Sequence, residues 1–360
     1  MADIIQEPPR GSIGDMRAFQ QTGLETLRRY VRGELPALPI GRLFGLQPTE
    51  AGPGKVAFRM PVTRWLEDGA GVYWGGVSAL VADAALGCAI WTTLPAGKSV
   101  ATSELSLSFV RPMSRQTTSI VARAESVHSG SQVGLSTAQI LDPDGRLLAF
   151  GSTRCLIADV PVDPNRQYPA PDTGPADPPD PYLRHAPEAD CYWSREQLER
   201  ETPLRLQQGT LASGFAFPCW RLTGYRPTLV EPGRVTGMMP TSAWFSNGGP
   251  SVYGGLLAWA AEFTMGASVY SMLGAGDGFA TLDMHMRFIR PALVNSGNLK
   301  LTASVSHAGK RLRVASCNID NAEGKRVAMA TLSALVVEGG VRELLRGRDP
   351  DELFAALRQE

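Results

Sequence analysis

Two stretches of the chain, residues 77–94 and 256–273, are almost unbroken in apolar side chains, and each predicts a helix buried on every face. Each stretch carries one carboxylate, Asp83 in the first and Glu262 in the second. The second stretch is long enough to raise a membrane span. Charge inside a span is costly, however, and a carboxylate repeated in a repeated helix points to a site rather than an anchor. Alternating runs follow each helix and predict half-buried strands. Leu105, Leu107 and Phe109 face one way, with Glu104, Ser106 and Ser108 opposite; later Leu282, Met284, Met286 and Phe288 oppose Thr281, Asp283, His285 and Arg287. Two more strands close each half, joined by the turn sequences Asp142-Pro143-Asp144-Gly145 and Asn321-Ala322-Glu323-Gly324. Ahead of each apolar helix lie a helical segment (15–32, 194–208), a short strand ending in a glycine turn, and a second strand (56–62, 235–241).

The two halves are copies in register. Gly75-Gly76 recurs as Gly254-Gly255 and Arg111-Pro112 as Arg290-Pro291, at a constant offset of 179 residues. The same offset links Gly45, Gly54, Pro61, Trp65, Thr102, Phe109, His128, Gly130 and Gly145 to Gly224, Gly233, Pro240, Trp244, Thr281, Phe288, His307, Gly309 and Gly324. A register held without a gap over more than a hundred residues marks one fold used twice. The reading is α+β, each half a long central helix wrapped by an antiparallel sheet. The expected division is 1–159 and 191–338, a Pro- and Asp-rich linker at 160–190, and a helical segment of unassigned role at 339–360.

Composition narrows the function. The 35 basic and 35 acidic residues cancel, which removes the electrostatic footprint of a nucleic-acid or anionic-membrane partner. The five cysteines, Cys88, Cys155, Cys191, Cys219 and Cys317, form no C-x-x-C pair, so neither a disulfide framework nor a metal site is expected. Residues 1–10 lack the apolar core of a signal peptide, and a cytoplasmic protein is expected.

The candidate chemistry lies where the glycine pairs meet the carboxylates. Free amides at a helix start bind or polarise an oxygen, and glycine admits a close approach. Asp83 and Glu262 each lie eight residues past their own glycine pair. That is about 12 Å along the helix, too far to reach back. A second helix packed antiparallel alongside brings the two together, so the geometry predicts two composite sites, each with glycine from one half and carboxylate from the other. Burial raises a carboxylate pKa and suits it to act as a base.

Gly75-Gly76 with Asp83, Ala85 and Gly87, then a strand ending Phe109-x-Arg111-Pro112, resembles the PaaI-like (phenylacetyl-CoA type) hot-dog thioesterases. So do Leu43-Phe44-Gly45-Leu46 with its Pro-Gly turn and the His-x-Gly hairpins at His128 and His307. The resemblance covers about residues 39–157 and 218–337 and implies two tandem hot-dog domains packed as an intrachain pseudo-dimer. It also implies hydrolysis of an acyl-CoA or acyl carrier protein thioester, without cofactor or metal. Asp83 and Glu262 match the acidic nucleophile or general base, Gly75 and Gly254 the carbonyl-polarising amides, and Thr102 and Thr281 the hydroxyls that assist the carboxylate. Asn247 matches an amide position seven residues before the glycine, where the first half has Asp68 instead. One site then joins Asp83 and Thr102 with Asn247 and Gly254. The other joins Glu262 and Thr281 with Gly75 and Asp68, two carboxylates in one place, and is expected to be weakened or silent. Trp74 and Tyr253 stand where the family often has histidine. Arg111, Arg115, Arg290, Lys310, Arg311, His128 and His307 are candidates to contact coenzyme A.

Two other functions compete. A hot-dog hydratase needs a histidine paired with the carboxylate, and these helices contain none. A non-catalytic acyl-CoA binder is motivated by Trp74 and Tyr253. By analogy with single hot-dogs, two chains pairing as a homodimer is also expected.

Overall fold

The computed structural model describes residues 3–12, 20–114, 116–162, 165, 178–188 and 191–345. Six strands come from each half. The first six are β1 (Gln47–Gly52), β2 (Lys55–Pro61), β3 (Lys98–Phe109), β4 (Ser119–Ser129), β5 (Val133–Leu141) and β6 (Leu147–Asp159). The others are β7 (Arg226–Glu231), β8 (Arg234–Pro240), β9 (Gly278–Phe288), β10 (Asn298–Ala308), β11 (Leu312–Asp320) and β12 (Arg326–Val337). They form one sheet in the order β1-β2-β4-β5-β6-β3-β9-β12-β11-β10-β8-β7, palindromic in the repeat. Every named pairing is antiparallel.

The helices are α1 (Gly23–Val31), α2 (Pro39–Phe44), α3 (Gly76–Trp91), α4 (Arg195–Arg200), α5 (Pro203–Ser213), α6 (Pro218–Thr223), α7 (Gly254–Tyr270) and α8 (Gly340–Leu345). The two apolar stretches are α3 and α7, packed against each other inside the curl of the sheet. This is the α+β arrangement that the repeat predicts, in the tandem hot-dog form that the resemblance implies.

The seam between the halves is β3 against β9. There Ser106 pairs with His285, its own repeat equivalent, so the pseudo-twofold axis passes between them. Ser106 Oγ and His285 Nδ1 lie 2.9 Å apart. At the seam the inward Leu105 and Leu107 pair with Met286 and Met284, and all four are buried.

Two expected helices are shorter than the pattern suggests. In the first half, α1 starts at a capping box between Thr22 and Glu25; residues 15–19 of the expected segment lie outside the described residues. The second breaks into α4 and α5 because Pro203 occupies the first turn of α5, and the residue before a proline leaves the helical region. Beyond α8, the segment expected at 339–360 lies outside the described residues from 346 on, as does most of the linker expected at 160–190.

The described part of that linker clasps the first half: Trp65 Nε1 donates to the Arg184 carbonyl at 2.9 Å, and Arg42 pairs with Asp180 at 3.2 Å. The amino terminus does the reciprocal thing to the second half. Trp244 Nε1 donates to the Glu7 carbonyl at 3.0 Å, and Arg226 binds both Asp3 oxygens at 2.7 and 2.8 Å. Glu7 and Arg184 then pair with each other at 2.7 Å. Each half thus begins with a strap that crosses onto its neighbour. Among the described residues no helix is long and apolar enough to cross a membrane.

Candidate active site

Simple alternation along β3 and β9 aims Thr102 and Thr281 away from the helices. Both in fact point inward, because each strand carries a bulge just beyond the threonine. The register shifts between Thr102 and Glu104 on β3, and again between Thr281 and Asp283 opposite β12. The extra residues, Ser103 and Leu282, flip the phase by one position, as bulges beside functional sites do. Thr102 Oγ1 then donates to Asp83 Oδ1 at 2.8 Å, and Thr281 Oγ1 donates to Glu262 Oε1 at 2.6 Å.

The helices run antiparallel, with the start of each beside the middle of the other. At the Asp83 site the amide of Gly255 donates to Asp83 Oδ2 at 2.8 Å. The donor to the carboxylate is therefore the second glycine of the pair. Gly254 is the first residue of α7, so its amide has no acceptor within the helix. A Cβ on Gly254 would sit 2.8 Å from Asp83 Oδ2, so only glycine permits this approach. Burial pushes the Asp83 carboxyl up to about 6, an effect partly offset by the bonds from Thr102 and Gly255. Tyr253, just ahead of the glycine pair, is buried and donates its hydroxyl to the Leu80 carbonyl at 2.6 Å.

The Glu262 site repeats the frame with a poorer fit. Burial pushes Glu262 up to about 7, against the bond from Thr281 and the nearby Gly76 and Gly75 amides. Glu262 Oε2 faces Gly76 but is buried with no hydrogen-bond partner among the described residues. Asp68 does not share this site. Its Oδ1 accepts from the amides of Ala70 and Val72 at 2.8 and 3.1 Å, and its Oδ2 from Trp74 Nε1 at 2.7 Å. Both oxygens of Asp68 are thus taken up by its own loop and by Trp74, which it latches in place. The Trp74 indole stacks on Phe263 with ring centroids 4.5 Å apart and meets Phe279 edge-on at 5.4 Å.

Asp83 is held by Thr102 and Gly255, and among the described residues no hydrogen bond joins it to Asn247. Ser246 Oγ ties the loop by donating to the Gly249 carbonyl and accepting from the Gly248 amide, and this tight turn leaves Asn247 exposed at its tip. Arg290 is exposed two residues past Phe288, which packs on Gly254, while Arg111 is half-buried and donates to the Leu147 carbonyl. His128 and His307 are exposed and lie over the hairpin glycines Gly130 and Gly309, away from both carboxylates in the chain. Lys310 and Arg311 are exposed on the second hairpin; Arg115 lies outside the described residues. Trp259, Met265 and Tyr270 are core side chains. No cluster of three metal-ligating side chains occurs among the described residues, and the five cysteines are free thiols.

The thioesterase superfamily model matches residues 70–149 and 249–328, one match in each repeat. No curated protein matches. A solved structure from Alicyclobacillus acidocaldarius, described as a conserved protein of unknown function with hot-dog fold, is similar at 13% identity and a TM-score of 0.52. The match covers 82% of this chain and 97% of that one. An acyl-CoA thioesterase II TesB2 from Mycobacterium marinum is similar at 15% identity and a TM-score of 0.46, covering 82% and 97%. The PaaI protein of the E. coli phenylacetic acid degradation operon is similar at 23% identity and a TM-score of 0.33, covering 37% and 92%.

Proposed function

From two hot-dog repeats that each match the thioesterase superfamily, we propose that the chain hydrolyses acyl-CoA thioesters at the Asp83 site. The observation that carries this reading is the carboxylate of Asp83, fixed between Thr102 Oγ1 and the Gly255 amide at the start of the other repeat's helix. A base poised near 6 is mostly ionised at neutral pH and still able to hold a proton.

The substrate carbonyl is set against the Gly254 amide, where the α7 dipole and an N–H with no acceptor inside its own helix favour charge growing on oxygen. Asp83 takes a proton from water as the water oxygen bonds to the thioester carbon. The C–S bond then breaks, and the departing thiolate recovers the proton from Asp83. The products are a carboxylic acid and free coenzyme A, and no step calls for a metal or cofactor. Arg290, at the Gly254 end of this site, is the candidate contact for coenzyme A phosphate.

The Glu262 site is proposed to be silent. Burial holds its carboxyl up to about 7, so that about half of it is protonated at neutral pH, and Trp74 packs alongside on Phe263. Release of free thiol from acyl-CoA esters by the purified protein, lost on Asp83→Asn, tests the reading.

A further inference from the structure

The two sites differ most along one face of their helices. Ala84, Gly87, Cys88 and Trp91 form an i, i+3, i+4, i+7 stripe on α3 that begins beside Asp83. Ala84, Cys88 and Trp91 are half-buried in a helix otherwise almost wholly buried. A Cβ built on Gly87 would meet no atom of the described residues within 4 Å.

The equivalent stripe on α7 is Phe263, Gly266, Ala267 and Tyr270, and all four are buried. A Cβ on Gly266 would fall inside the Trp74 indole. That indole stacks on Phe263, and Tyr270 adds rings against Trp193 and Phe279, each at 6.3 Å. One stripe carries three small residues and Trp91 and reaches solvent; the other is walled by aromatic rings around a cavity of only about 20 Å³. Tyr253, the counterpart of Trp74, does not fill the first stripe. Its hydroxyl is bonded to the Leu80 carbonyl, on the amino-terminal side of Asp83, while Gly87 lies on the carboxyl-terminal side. Glycine is also a poor choice for the interior of a helix, so its presence at position 87 is not explained by helix formation.

Resting on the thioesterase reading of the Asp83 site, we propose that the groove over Gly87 receives the hydrocarbon chain of the acyl group. Gly87 then determines which chains fit, and Trp74 with Phe263 occupies the corresponding space in the second repeat. Gly87 lies one helical turn from Asp83, about 6 Å along the axis, so a side chain there meets the acyl chain soon after the thioester carbon. The lining of Ala84, Gly87, Cys88 and Trp91 offers apolar contact, which suits a hydrocarbon chain rather than a charged acyl group.

The test is kcat/KM for acetyl-, butyryl-, octanoyl- and lauroyl-CoA with wild type, Gly87→Ala and Gly87→Leu. Leucine is a better helix former than glycine, so α3 is not weakened by propensity. The lauroyl-to-acetyl ratio is expected to fall at least about tenfold in Gly87→Leu, as a few methylenes of lost pocket contact would give, and less in Gly87→Ala. An unchanged ratio, or equal losses on every ester, overturns the groove while leaving the thioesterase reading intact. If wild type hydrolyses no ester, that reading falls, and the groove is judged by calorimetric binding of the S-dodecyl thioether of coenzyme A. Binding to wild type that weakens at least about tenfold in Gly87→Leu supports the groove; equal binding to both, or none to wild type, overturns it.

Discussion

The Gly255 amide donates to Asp83 Oδ2 at 2.8 Å across 172 residues of sequence. The bond joins the start of one repeat's helix to the middle of the other's, so neither repeat holds a complete site alone. It also places an ionisable group beside a glycine-opened helix start, the setting in which a carbonyl is polarised and a water activated together.

The pH profile follows from the ionised form of Asp83 being the active one. Burial raises its pKa to about 6, so kcat/KM is expected to rise with pH, about tenfold per unit below 6, and to level off above it. Steady-state rates from pH 4.5 to 8.5 read this directly. A profile that falls as pH rises through 6 would instead mean that the protonated carboxyl is the working form.

Thr102 positions Asp83 and stabilises its charge. In Thr102→Val the hydroxyl donor is lost at nearly constant volume, so the carboxylate loses a bond that favours ionisation. The limb of the pH profile is expected to move to higher pH, and Thr102→Ser to restore it. A uniform loss of rate with an unmoved limb would assign Thr102 to packing alone.

Gly254 is needed for the approach of the carboxylate. In Gly254→Ala the added carbon would meet Asp83 Oδ2 at 2.8 Å and push it from its bonds. At least about a tenfold loss in kcat is expected, because displacements on the order of 1 Å are costly in such sites. Retention of full activity would show that the carboxylate works from another position.

A silent Glu262 site predicts an effect of this carboxyl on stability rather than on rate. Its pKa is raised from an ordinary 4.5 to about 7, so the folded state holds the proton more tightly than the unfolded chain. The resulting stabilisation is complete below about 4.5 and is lost as pH rises through 7. Glu262→Gln is expected to remove this dependence and to be more stable than wild type at pH 8, by on the order of 1–3 kcal/mol. Urea unfolding at pH 5 and pH 8 measures it; an identical pH dependence in both proteins would contradict the assignment.

The repeat, the buried helices and the carboxylate–glycine frame were legible in the sequence because each leaves a periodic or spaced trace. The bulges at Ser103 and Leu282 were not. The run Thr281-Leu282-Asp283-Met284 alternates without a visible break, and only the partner strand shows the extra residue. The bond from Gly255 to Asp83 was not legible for a similar reason: which of two adjacent amides points at a carboxylate depends on where the helix begins. Asn247 has the expected spacing, but the turn closed by Ser246 points it outward. Asp68 looked like a second charge in the site, yet its own loop and Trp74 take up both oxygens. The crossing straps were hidden because their anchors include backbone carbonyls, at Glu7 and Arg184, which leave no residue pattern.

The most direct measurement is thiol release from a panel of short-chain, long-chain and aryl acyl-CoA esters by wild type, Asp83→Asn and Glu262→Gln. Release by wild type, reduced at least about 100-fold in Asp83→Asn and kept within about twofold in Glu262→Gln, is the predicted result. No release from any ester, or a loss that follows Glu262 rather than Asp83, would contradict the account.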